Sequence, residues 1–480
     1  WYAGVFPRRA PKMLPRLKLE DAIASRAPAL LDESPWPPPA ALRWTPAYVA
    51  ERFPLLDAVR RHAKAGVFWN VDRDSAAANS RRAEGGFEFT DSVHEEAAVP
   101  TSAFFESEQP QYYSSSLLDA DGAPAPDLQP IEPLVRVLAN ASGSSGPPRW
   151  PETAPGWAGL AVAASLKAWW GTRGAVTPLH YDSQHNVYAQ LHGEKTFHLF
   201  PPEWLEAGLY LYPRTHPLSH FSRVPDPTTE PTAGTAAEYP EYRGPARAPA
   251  SRATLRAGDV LYLPPFWAHH AACERQCIAA NVWVGSDAML RHRAVEQAPL
   301  PFEAGWQGSR RAAAALLFLR LLLEAVQQAA PRGDGDGGGE AGSRGGEAGG
   351  GGAGGGAGAG GLSAAVARHL GSRWRHAASL LRSERGAAAA EAAAAECEPA
   401  WLGAPLRDKF ARYAAVRAAA LATLEPEVRA TLIADQLDLL ADWGGGTPAA
   451  AHALLERLHV CSRRAWEAHG EAEGAPKEEL

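Results

Sequence analysis

Two kinds of hydrophobic patterning divide the chain. In the N-terminal part the apolar positions come in short runs, at 166–170, 187–190, 195–200, 260–263 and 278–284, separated by turns rich in Pro and Gly. Such punctuated runs predict strands, and many of them predict a double-sheet jelly roll whose mouth can hold a ligand between its sheets. Ahead of them, Thr45 and Pro46 predict a helix cap and first helical residue. Residues 66–71 read as a strand, and 74–98 as a loop. The stretch 203–254, rich in Pro, Thr and Arg, reads as a long surface connection whose Thr/Ala/Gly portion is an insertion.

Farther along the pattern turns helical. Residues 309–328 are rich in Ala and Leu, with Arg310, Arg311 and Arg320 on the polar side, and 362–385 and 406–443 follow, with a turn at 421–427 leading into a helix at 428–440. Between them, 333–361 consists almost wholly of Gly, Ala, Glu and Ser, which cannot bury enough apolar surface to fold and predicts a flexible linker. The Ala-rich run at 387–396 reads as a second low-complexity insertion. The expected organisation is therefore a lead-in at 1–25, carrying Arg8, Arg9, Lys12, Arg16 and Lys18; a strand-rich domain at 26–300; a helix at 301–332; the linker; and a helical region at 362–480.

Composition narrows the classes. With 46% hydrophobic residues and 16 Trp the chain can bury a large core. Lys and Arg number 47 against 54 Asp and Glu, a net charge of −7, which argues against a general nucleic-acid binder and leaves room for a local basic patch. No apolar run reads as long enough to span a membrane. Cys273, Cys277, Cys397 and Cys461 lack a paired zinc spacing and are too sparse for a disulfide framework, so reduced thiols and a cytoplasmic or nuclear location are expected. The ending Lys477-Glu478-Glu479-Leu480 resembles an endoplasmic-reticulum retrieval signal, and with the sequon Asn140-Ala141-Ser142 it keeps the lumen of that compartment as the alternative.

The candidate chemistry sits in Thr177-Pro178-Leu179-His180-Tyr181-Asp182. Side chains alternate along a strand, so His180 and Asp182 point one way and Tyr181 the other. An isolated His-x-Asp is usually a polar strand end, but a second segment, Gly258-Asp259-Val260-Leu261-Tyr262-Leu263 continuing to His269-His270, offers a further imidazole. Two histidines and one carboxylate form a facial triad that leaves about three positions of an octahedral metal open, as a non-haem iron oxygenase requires. Lys195 lies among Phe197, Leu199 and Phe200, where an inward ammonium is destabilising without an anionic partner; a bound carboxylate supplies one.

These segments, with Leu211-Tyr212-Pro213 and Asn281-Val282-Trp283, carry a resemblance to the JmjC (cupin-like) Fe(II)/2-oxoglutarate-dependent oxygenases of the small hydroxylase branch, similar to asparaginyl and tRNA wybutosine hydroxylases. The resemblance implies an α+β fold: a double-stranded β-helix (jelly roll) followed by a C-terminal helical region. It implies that His180, Asp182 and His269 hold Fe(II). Lys195 and Thr177 would bind the distal carboxylate of the co-substrate 2-oxoglutarate, Asn186 and Asn281 would lie beside co-substrate and metal, and Tyr113 would close the pocket. His269 also shares strand parity with Leu261, Leu263 and Trp267, which leaves His270 on the opposite face. O2 would be the oxidant, a protein side chain the substrate expected first, and a tRNA base or a methyl-lysine the alternatives, beside a catalytically silent binding module. Paired C-terminal helices resemble those through which relatives form homodimers. Ala268 and the segment Ser222-Arg223-Val224-Pro225-Asp226 depart from the pattern on the substrate side, so the substrate stays open.

Overall fold

The computed structural model describes residues 12–61 apart from 35, 66–69, 86–87, 95–118, 123–142, 164–245, 250–329, 359–375, 381 and 387–473. Arg8, Arg9, Asn70, Val71, nearly all of the stretch at 74–94, the linker up to 358 and the C-terminal Lys477–Leu480 lie outside the described residues. The chain forms two compact units. The first runs to Glu296 and adds Pro426–Leu432; the second takes Gln297–Glu425 and the residues from Ile433 onward, together with Glu84–Gly86.

The first unit contains β1 (Lys12–Met13), β2 (Arg16–Leu17), β3 (Ala29–Leu31), β4 (Leu55–Arg61), β5 (Glu95–Pro100), β6 (Gln111–Ser116), β7 (Ala164–Gly171), β8 (Val176–Tyr181), β9 (Gln184–His192), β10 (Glu194–Phe200), β11 (Ser251–Arg256), β12 (Val260–Leu263), β13 (Ala268–Cys273) and β14 (Cys277–Gly285). They build a five-stranded sheet in the order β1-β11-β10-β13-β8 and a nine-stranded sheet in the order β2-β3-β12-β9-β14-β7-β6-β4-β5. Between the sheets lies one apolar cluster, with Phe197, Leu199, Leu255 and Ala271 from the smaller sheet meeting Tyr112, Trp169, Tyr188 and Leu261 from the larger. The outer face of the larger sheet is covered as well: Leu166, Trp170, Val187 and Val282 pack with Trp36, Trp44, Phe104 and Leu138. Burial on both faces explains why β7, β9 and β14 read as continuous apolar runs instead of alternating ones.

Several expectations are corrected. The run at 66–71 contributes, among its described residues, a single bridge from Val67 to Val176. Residues 95–98, read as loop, belong to β5, and the end of the supposed connection at 203–254 belongs to β11. In β11 only Ala253 and Leu255 are buried while Arg252, Thr254 and Arg256 are exposed, so its polar residues masked an alternating strand. The lead-in is structured from Lys12, and Leu19–Ser25 is a helix. The predicted cap at Thr45 does accept a hydrogen bond from the Tyr48 amide, opening the helix Pro46–Arg52.

In the second unit the helix Gly308–Ala329 packs against Ala404–Ala422, and Pro448–Glu473 packs against Ala359–His369 and Ala387–Ala393. Residues 359–361 thus open a helix rather than closing the linker. The Ala-rich run forms the helix Ala387–Ala393, in which Ala389 and Ala392 are buried, because methyl side chains let helices approach closely. Contrary to the sequence reading, Gly308–Ala329 is long and apolar enough, by length and composition only, to cross a membrane; 56% of its apolar 18-residue window is buried, its apolar residues serving as core. The cysteines are likewise corrected, since Cys273 pairs with Cys277 and Cys397 with Cys461 as disulfides.

Candidate metal centre

His180 lies near the end of β8 and faces the space between the sheets, and Asp182 follows just past that strand, where its carbonyl accepts the Phe266 amide at 2.7 Å. β13 runs antiparallel to β8 with His269 directly opposite His180. One ligand atom from each of His180, Asp182 and His269 falls within 4.8 Å of the others. The adjacent His270 faces away and approaches His198 instead, ring to ring at 6.0 Å. The ladder shifts register after His269, but the inward face of β13 is already fixed there by its pairing with Leu199 of β10.

The donor atoms are prepared. His180 Nδ1 donates to the Pro178 carbonyl at 2.7 Å and His269 Nδ1 to the Trp267 carbonyl at 3.1 Å, so each Nε2 keeps its lone pair for the cavity. Burial pushes both imidazoles down to about 3, reinforced at His180 by His220 and at His269 by His180, so both are neutral near pH 7. Asp182 Oδ2 is buried without a hydrogen-bond donor and lies 3.8 Å from His269 Nε2. A buried carboxylate oxygen lacking a donor is costly, and a divalent cation would satisfy it. Two neutral nitrogens and one carboxylate fit iron.

Deeper in the cavity, Lys195 is 2% exposed, and burial lowers its ammonium to about 7. Its Nζ stands over the rings of Tyr112, Tyr188 and Phe197 at 5.5, 5.2 and 5.7 Å, with no carboxylate among the described residues to offset it. Thr177 donates to the Tyr112 hydroxyl at 3.1 Å beside it. Asn281 donates to Asn186 Oδ1 at 2.9 Å and accepts from Trp169 Nε1 at 2.6 Å, which fixes both amides against the cavity wall.

A family model described as a cupin-like domain matches residues 16–286, more than half of the 480-residue chain and the whole of this site. The chain belongs to the cupin-like domain family. Relatives of this cupin include the bifunctional peptidase and (3S)-lysyl hydroxylase JMJD7 of Homo sapiens, 34% identical over 153 residues, which cover 28% of this chain and 47% of the relative. The lysine-specific demethylase JMJ30 of Arabidopsis thaliana is 33% identical over 124 residues, 26% of this chain and 27% of the relative. HSPB1-associated protein 1 of Homo sapiens is 33% identical over 125 residues, 24% and 22% respectively. The cupin thus spans about half or less of the length of these relatives.

One candidate residue is not brought to the cupin pocket. Tyr113 belongs to the outer cluster and its hydroxyl donates to Asp57 at 3.3 Å; the pocket tyrosine is its neighbour Tyr112, since adjacent residues of β6 face opposite ways. Besides Tyr112, the lining residues Trp169, Tyr188, Phe197, His220, Ala271 and Trp283 were given no site role in the sequence reading. Trp283 was inferable, two residues from Asn281 on the same strand face. His220 carried no signal, because it arrives through the Leu218–Ser222 segment, where Phe221 bridges His180. The divergent residues Ser222 and Arg223 do not line the cavity; their side chains bond to the Leu209 and Tyr210 carbonyls.

Proposed function

We propose that this chain is an Fe(II)- and 2-oxoglutarate-dependent oxygenase that hydroxylates a side chain of a protein substrate, releasing succinate and CO2. The observation that carries the reading is the conjunction, in one cavity, of the His180, Asp182 and His269 donors with the buried Lys195 that lacks a carboxylate partner. Iron bound there would supply O2 activation coupled to oxidative decarboxylation of the 2-oxo acid.

The chain's residues do the rest. His180 and His269 present Nε2, Asp182 presents its oxygen, and the three together occupy one side of the metal position. Lys195, with the Tyr112 and Thr177 hydroxyls beside it, receives the distal carboxylate and sets the distance at which the 2-oxo acid end meets the donors. The rings of Tyr112, Tyr188 and Phe197 keep water from that ion pair, which strengthens it. The hydrogen-bonded Asn186 and Asn281 hold the opposite wall in one orientation. The names of the relatives, a lysyl hydroxylase and a lysine demethylase, support a protein substrate.

Purified full-length chain supplied with Fe(II), ascorbate and O2 should convert 2-oxoglutarate slowly to succinate without other substrate. Absence of turnover with iron bound would overturn the reading. The cysteine pairs favour the lumenal alternative for location, because disulfides persist in oxidising compartments. Differential alkylation of protein taken from cells tests this; recovery of all 4 cysteines as free thiols would return the location to cytoplasm or nucleus.

A further inference from the structure

The rim of the cavity on the β7–β14 side carries a charge that the metal and co-substrate sites do not use. Lys167 points to the same side of β7 as Trp169, which lines the cavity, and it sits opposite Asn281, which lines it too. Its Nζ stands 5.6 Å from the centroid of the Trp283 ring, the next cavity residue along β14. The Trp283 indole Nε1 is itself buried without a hydrogen-bond partner among the described residues. On the neighbouring β6, Ser116 pairs with Lys167 and Ser114 with Trp169, so that side of the rim carries hydroxyl groups.

No ion pair among the described residues engages Lys167. Burial is the largest influence on its ammonium and lowers it, Arg60 adds repulsion, and Asp182 is the one opposing attraction. Arg60 already has its own carboxylate, Glu96, at 3.3 Å. Asp182 cannot serve Lys167 once it ligates a divalent cation, because its negative charge is then spent on the metal. The two charges of a dicarboxylate co-substrate would likewise be taken by Lys195 and the metal. Among the described residues, that accounting leaves the Lys167 ammonium at the rim with no anion of its own.

We propose that Lys167, with the Trp283 indole N–H, forms the recognition wall for an acidic peptide segment, so that the substrate presents a carboxylate here and not a protonated lysyl side chain. The proposal rests on the oxygenase reading above and names its substrate class. A cation brought to this wall would meet the Lys167 ammonium, and like charges in a partly desolvated cleft repel strongly. A carboxylate would gain a charge-assisted hydrogen bond from Lys167 and satisfy the orphaned indole donor. The nearby serine hydroxyls can bond its backbone carbonyls.

The test uses full-length protein loaded with Zn(II) as an inert substitute and saturated with 2-oxoglutarate, so that binding is read without turnover. Two synthetic peptide libraries of equal length, one enriched in Asp and Glu and one in Lys and Arg, are titrated by fluorescence anisotropy. The acidic library should bind about tenfold or more tightly than the basic one, with an affinity that falls as salt rises. Lys167→Gln should abolish that preference and Lys167→Glu should reverse it. Circular dichroism and retained Zn(II) binding show whether each variant is folded. Preference for the basic library, no binding of either, or an acidic preference unchanged in folded Lys167→Glu overturns the proposal. Succinate formation by the Fe(II) enzyme is measured separately, so a wrong charge assignment is distinguished from a failure of the oxygenase reading.

Discussion

At the residue scale the decisive contrast is between two adjacent histidines. His269 faces His180 and Asp182 while His270 faces His198. His269→Ala should therefore lose Fe(II) binding, read by metal analysis after desalting, and His270→Ala should retain most of it; the reverse pattern would transfer the ligand to His270. Lys195 makes a pH-dependent prediction. Burial lowers its ammonium from the ordinary 10.5 to about 7, so across that interval the unfolded chain holds a proton that the folded chain has released. The unfavourable contribution of Lys195 is full below about 7 and fades as pH rises toward 10.5. Protein free of co-substrate should accordingly gain thermal stability over that window relative to Lys195→Met, whose melting curve lacks the rise. Over the same window the wild-type affinity for 2-oxoglutarate, followed by calorimetry, should fall as the ammonium is lost. The pairing of His180 with Asp182 and the inward lysine were readable from sequence because alternation along a strand is local geometry, and the resemblance implied His269 as the third donor. Tyr112 was not, because choosing between it and Tyr113 requires knowing which face of β6 meets the other sheet.

At the element scale the hairpin between β9 and β10 governs where Lys195 points. Gly193 occupies the turn with φ of +77°, and a Cβ there would stand 1.6 Å from the Gln276 carbonyl oxygen. Gly193→Ala combines left-handed strain with a backbone clash, so it should cost more than about 1 kcal/mol in denaturant unfolding. It should also weaken 2-oxoglutarate binding, since Lys195 lies two residues on. An unfolding midpoint equal to wild type would show that the turn relaxes freely. The strands flanking this hairpin were found in sequence as apolar runs. β5 and β11 were not, for their exposed polar positions resemble connection sequence, and only pairing with β4 and with β10 makes them strands.

At the scale of the whole molecule, the helical unit buries a charged cluster in which Arg373 reaches Asp435 at 2.7 Å and Asp438 at 3.1 Å, with His369 and Trp374 also bonded to Asp438. Removing the cation that two buried carboxylates share leaves uncompensated buried charge, so Arg373→Met should destabilise the helical unit by about 3–5 kcal/mol, measured by chemical denaturation. A change below about 1 kcal/mol would mean that the cluster relaxes into water. Nothing in the helical periodicity signals this cluster, because its members come from helices remote in sequence. The same divide runs through the whole protein. Local periodicity and residue chemistry were enough for the β-to-helical change of pattern, for His180 and Asp182 on one strand face and for the need of Lys195 for an anion, since each depends on neighbours along one strand or helix, whereas His269 as the third donor was implied by the family resemblance. Tertiary packing alone decided that the larger sheet is covered on both faces, that Tyr112 and not Tyr113 enters the cavity, that His220 stands beside the metal position and that the cysteines pair. These depend on which distant segments meet, and a one-dimensional pattern of apolar and polar residues carries no record of the partner.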